Sequence, residues 1–92
     1  MARLNWKVVL DNLNDARLQL EEIERSVNDD NKPSGVKLQI KLEHAFHHLC
    51  VAWNARSAST KRYSNFSDED FNEWSKFPKD IEPYRLEIPS DK

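Results

Sequence analysis

Apolar and polar positions along the first thirty residues alternate with a helical period. Trp6, Val9, Leu13, Ala16, Leu20, Ile23 and Val27 recur in steps of three and four. That spacing keeps one stripe of a helix turned toward a partner, as in helical bundles. Asn5 suits an N-cap, and Leu4 before it can meet Val9 as a hydrophobic staple. The pattern predicts a first helix over about 5–27. Glu21, Glu22 and Glu24 with Arg17 and Arg25 form its solvated face. The polar run 28–34, which contains Pro33, stops the helix and turns the chain.

A second helix is expected over about 34–57, capped by Ser34. Leu38, Leu42, Ala45, Leu49 and Ala52 repeat the stripe, with Phe46 and Trp53 on its shoulder. Two such helices joined by a short polar turn are antiparallel neighbours. The second helix differs from the first. At about 100° per residue, Ile40, His44, His47, Val51, Asn54 and Ala58 line up opposite the first stripe. A helix wet on that side would carry charge there. It is therefore expected to be covered twice, by the C-terminal third of the chain or by another copy of the hairpin.

Residues 58–64 read as a polar connection. Ser67 followed by Asp68, Glu69 and Asp70 is a strong helix start, and Phe66 is placed to staple Phe71. A short third helix is expected over about 68–77, with Phe71, Trp74 and Phe77 as its apolar edge and Pro78 closing it. In the tail, 79–92, Tyr84, Leu86 and Ile88 alternate between Pro83 and Pro89, which suggests an extended segment lying on the hairpin. The expected fold is thus all-α: an antiparallel two-helix hairpin with a short third helix and an extended C-terminal tail packed on it, one domain over 1–92.

Composition fits that picture. Ninety-two residues make one domain with a modest core. Apolar content is 38%, which is lean, and three Trp, four Phe and two Tyr partly compensate. A single glycine argues against a turn-rich β-sandwich and against a Gly-rich phosphate cradle. One cysteine, Cys50, excludes an intrachain disulfide framework and suits a reducing compartment. No basic-then-apolar leader is visible, and the uncharged run 44–55 is too short and polar to span a bilayer. The expectation is a cytoplasmic protein without a membrane segment.

Charge is uneven: residues 1–32 carry −2, residues 33–64 carry +4 and residues 65–92 carry −4. The simplest reading is internal, with the acidic third lying across the basic second. Lys37, Lys41, Arg56, Lys61 and Arg62 could instead serve nucleic acid, with Tyr63 and Trp53 stacking. The chain as a whole lacks a basic footprint, which disfavours that alternative.

All three histidines and the cysteine fall within 43–50. His44 and His48, four apart, could share a metal on one helical face, but a metal site needs three or four converging ligands, which the sequence does not assemble. His47 could reach Cys50, yet a two-helix hairpin offers little cleft for a nucleophilic dyad. No catalytic motif is complete and no cofactor motif is present. The expectation is a small non-enzymatic interaction or structural module, acting on a protein partner or on itself. Its anticipated surface is His44, His47, Asn54, Arg56, Lys61 and Arg62. The alternatives are a nucleic-acid-binding accessory protein and a His-based metal protein.

Overall fold

Asn5 opens the first helix, as its position suggests, and does more than cap it. In the computed structural model, which describes residues 3–81, the regular elements are all helices, with α1 at Trp6–Asn28, α2 at Gly35–Asn54, α3 at Thr60–Ser64 and α4 at Asp68–Trp74. The Asn5 side-chain oxygen accepts from the N–H groups of Lys7 and Val8, two of the donors a helix start leaves unpaired. Its amide nitrogen donates to the Ala58 carbonyl at 2.9 Å and to Thr60 Oγ1 at 3.2 Å. Its backbone N–H donates to the Arg56 carbonyl at 2.6 Å. One residue therefore starts α1 and fastens it to the segment that follows α2.

The other end of the hairpin is closed by backbone geometry. Asp30 N–H donates to the Val27 carbonyl at 3.1 Å and Asn31 N–H to the Ser26 carbonyl at 2.8 Å, with Asp30 at φ 60°. This pair of bonds around a left-handed residue is a Schellman motif. Ser34 then caps α2 by accepting from Lys37 N–H. Along the seam, Lys41 Nζ meets Glu22 Oε1 at 2.8 Å and joins the two helices.

The expected boundaries shift at three places. Helix α2 ends at Asn54 rather than near 57. The connection 58–64 contains α3, a five-residue helix capped by Ser59. It has no apolar stripe of its own, so periodicity could not announce it. Helix α4 begins as expected, with Ser67 and Asp70 exchanging both bonds of a capping box and the Phe66 and Phe71 rings 6.2 Å apart. It stops at Trp74 rather than at 77. The Asn54 amide donates to the carbonyls of Trp74 (3.0 Å) and Lys76 (2.7 Å), which turns the chain out of the helix. Asp80 is then held by Trp53 Nε1 at 2.9 Å and by Arg56. The extended tail expected to carry Tyr84, Leu86 and Ile88 lies outside the described residues.

The core corrects the expected register of α1. The anticipated stripe is largely in water: Trp6, Leu13, Leu20 and Val27 are all exposed, and of that set only Ala16 is buried. The buried line of α1 runs Val8, Asn12, Ala16 instead. Val8 joins Val51, Ala55 and Trp74 in the central cluster, with Ala58 and Tyr63 packed against it. The reason is that α1 has neighbours on two sides. It must face α2 and also α3, so its buried arc rotates toward the angle between them. A sequence stripe marks the most apolar arc, and here the most buried arc is a different one.

The double cover expected of α2 is found along its C-terminal half. Helix α4 packs there, leaving Val51 buried and His47 and Asn54 half-buried. At the N-terminal half, Ile40 and His44 are exposed. The described part of the acidic last third meets the basic middle at two pairs, Arg56 with Asp80 and Arg62 with Asp70. No helix among the described residues is long and apolar enough to cross a membrane.

Candidate interaction surfaces

Two surfaces carry chemistry, one on each side of the hairpin. The first lies where α3 and α4 meet α1 and α2, and its centre is Asn12, 1% exposed. The Asn12 amide donates to the Val8 carbonyl and to the Tyr63 hydroxyl, both at 2.9 Å. With both donors engaged, its oxygen must accept, so the His48 Nδ1 at 3.0 Å carries a proton and Nε2 is the basic nitrogen. Asp15 stands 3.8 Å from His48 Nδ1.

Burial holds His48 below the usual histidine range, while Asp15 pulls it partly back up and His44 and His47 push it down. Burial also lowers His47, with His44 adding to the effect. His47 packs against the Phe71 ring at 5.4 Å. A crevice of about 190 Å³ opens beside this network, walled by Tyr63, Phe66, Phe71 and Trp74. Among the described residues, every buried side-chain nitrogen and oxygen has a partner. The network is closed on itself, and it fixes how α1, α2 and α3 sit together.

The anticipated surface residues are placed around this side and its lower edge. His44 is exposed and stacks on His48 at 4.9 Å between ring centres. Asn54 donates into the end of α4, as described above. Arg56 lies 3.8 Å over the Trp53 ring, donates to the Trp53 carbonyl and pairs with Asp80. Arg62 pairs with Asp70, which holds that carboxyl below the usual carboxylate range. Lys61 is exposed. The two arginines thus already hold internal partners. His44 and His48 come together, but among the described residues no group of three or more His, Cys, Asp or Glu side chains converges to hold a metal ion. Cys50 is buried, and burial pushes its thiol pKa up.

The second surface is the open face of the hairpin, with Phe46 at its edge stacked on Phe77, just beyond α4, at 6.3 Å between ring centres. Here the apolar stripe displaced from the core lies in solvent. Trp6, Leu13, Leu20 and Val27 follow one another at intervals of seven on α1, and Leu42 and Leu49 do so on α2. With Leu38 and Phe46 they form a strip whose members are 37% (Leu38) to 59% (Trp6) exposed. Two grooves run end to end along the seam. One, about 260 Å³, is walled by Trp6, Leu13, Leu49 and Trp53, and the other, about 500 Å³, by Leu20, Ile23, Leu38 and Leu42. Charged groups, namely Arg17, Glu21 and Glu24, border the second groove, and Arg56 stands at the far end of the first.

The sequence displayed every residue of this strip but assigned the strip to the inside. The contrary signal was Asn12. One polar residue aligned with Val8 and Ala16 hints at a second buried line, but only a partner such as His48 makes that burial affordable. No protein-family model, curated protein or solved structure matches this chain.

Proposed function

We propose that this protein is a non-enzymatic interaction module and that its working surface is the open apolar face of the hairpin. The observation that carries this reading is the exposed strip itself. Monomeric soluble proteins seldom leave a long contiguous apolar patch in water, and such patches with polar rims mark binding surfaces. Single exposed leucines would mean nothing, but these follow two helices from end to end. The occupant is a protein helix or helix pair, because a strip with a seven-residue repeat is read by knobs from another helix. A cytoplasmic setting accompanies this proposal, since a single buried thiol suits a reducing compartment.

Site-specific photocrosslinking in the protein's own cells tests this. A photoreactive residue at position 13 or 42 should yield discrete protein adducts, whereas one at exposed Arg25, off the strip, should yield none. Equal background from all three positions would refute the reading.

A further inference from the structure

The face described above has the form of half a bundle, and its dimensions say what completes it. On the reading that this face is an interaction surface, we infer that its occupant is a second copy of this chain, the two hairpins closing into a four-helix bundle. The first argument is repeat geometry. Trp6, Leu13, Leu20 and Val27 keep a strict interval of seven over nearly the whole of α1, a length of about 32 Å. Val9, Ala16 and Ile23 keep the same interval one half-step away. Together the two rows form one coiled-coil-type stripe, and because the single chain buries the line of Val8, Asn12 and Ala16 instead, that stripe is left to meet a further helix pair, as inside a four-helix bundle.

The second argument is area. Eight large side chains, each exposed to between 37% and 59%, present together roughly 700–800 Å². Each partner of a standard stable interface contributes about 800 Å². Buried completely, the face would supply about what one partner of a standard interface contributes. Its length also matches a second hairpin, because both helices contribute along their whole seam.

The third argument concerns the alternatives within the chain. Residues 82–92 include only three large apolar side chains, Tyr84, Leu86 and Ile88. Eleven extended residues could reach about 36 Å, but three large apolar side chains are fewer than half of the eight that the strip exposes. The rim is also compatible with self-pairing. Arg17 lies beside Glu21 and Glu24 on the border of the groove, so two copies bring both signs to the contact rather than one sign against itself. The face of α2 named from sequence as a second dimer surface is occupied by α4 over its C-terminal half, which leaves the opposite face for association.

Sedimentation equilibrium of the full chain, from about 1 to 200 µM, reads the assembly directly. The expected mass is twice the 10.9 kDa of the chain, falling toward the single mass on dilution. Leu13→Glu and Leu42→Glu each bury a charge in the proposed interface and should weaken association at least a hundredfold. Both sites are exposed in the single chain, so helicity should persist. Leu20→Glu provides a second reading if either variant loses its fold. Ile40→Glu, exposed on the other side of α2, should leave the dimer intact.

A monomer at 200 µM overturns the inference, as does a dimer that survives Leu13→Glu and Leu42→Glu but is lost with Ile40→Glu. The photoprobe at position 13 separates the remaining occupants. An adduct with a different protein, or one within the chain to residues 82–92, overturns the second copy. The former leaves the interaction reading standing, and the latter removes it as well.

Discussion

Replacing Asn12 with leucine tests the polar tie between the two sides of the molecule. The side chain is 1% exposed and bonds three groups: the Val8 carbonyl, the Tyr63 hydroxyl and His48 Nδ1. The Val8 carbonyl keeps its place in the backbone ladder of α1, so its loss is small. Tyr63 and His48 lose their partner outright. An unsatisfied buried polar group costs about 1–3 kcal/mol, and both are half-buried, so water recovers part of it. Leucine is close to asparagine in size, which keeps the cavity contribution low. The net expected loss is about 2–3 kcal/mol, a large share of the roughly 5–15 kcal/mol typical of a small domain. At about 4–8 °C per kcal/mol, the midpoint should fall by roughly 8–24 °C. Thermal and urea melts followed by circular dichroism measure it. A double-mutant cycle with Tyr63→Phe should show coupling of about 1 kcal/mol. If Asn12→Leu melts at or above the parent, or if the two changes simply add, the network does not organise the fold.

The histidines predict a pH dependence with a defined sign. Burial holds His47 and His48 lower in the folded chain than when unfolded, so the unfolded chain takes up protons first as pH falls. Their contribution is present above about pH 6.5 and is lost on acidification below it. The groups facing them are Asp15 and Asn12 from α1, His44 from α2, Tyr63 from α3 and Phe71 from α4. The urea midpoint should drop between pH 7.5 and 5.5, and by less in His47→Gln; an identical drop would exclude His47 as a source. Glu22, Asp70 and Asp80 have lowered pKa values, set first by bonds from Lys41, Arg62 and Trp53 respectively. Any stability they add is lost only lower, below the ordinary carboxylate range. Cys50 should resist a thiol reagent at pH 8 in the native protein and react with one equivalent in denaturant; immediate native labelling would contradict its burial. Asp30 occupies the left-handed position of the Schellman turn, so Asp30→Gly should stabilise by about 0.5–1 kcal/mol, and a lower melting temperature would contradict that geometry.

Helix existence was legible because it follows from local rules. The caps at Asn5, Ser34 and Ser67 all stand where the sequence placed them, since a capping bond is decided within three residues. The ends of α2 and α4 were not legible. That of α4 is met by Asn54, whose amide reaches carbonyls about twenty residues away, and no local pattern encodes that reach. Helix α3 was missed for the complementary reason. It is held at Ser59 and Thr60 by short-range caps and a bond from Asn5, without the apolar periodicity that reveals longer helices.

The rotation of α1 is the more instructive departure. Periodicity identified a stripe and the rule that apolar faces turn inward assigned it to the hairpin seam. In the single chain, Asn12 with His48 and Tyr63 overrides that rule, because two hydrogen bonds to neighbouring helices fix a buried line that apolar packing alone would not choose. Small side chains accompany it: Val8, Ala16, Ala45, Ala52 and Ala55 are buried, and they let the helices approach closely. The large leucines and Trp6 are displaced to the open face as a consequence. On the dimer reading both rules are satisfied together. The polar line sets the register within each hairpin, and the displaced stripe becomes the core between two of them. Breaking the Asn12 network should then release α1 to rotate its leucines inward, so Asn12→Leu is expected to weaken association as well as stability. A variant destabilised by Asn12→Leu yet still dimeric at the parent's concentration would separate the two and show that the open face forms without the polar line.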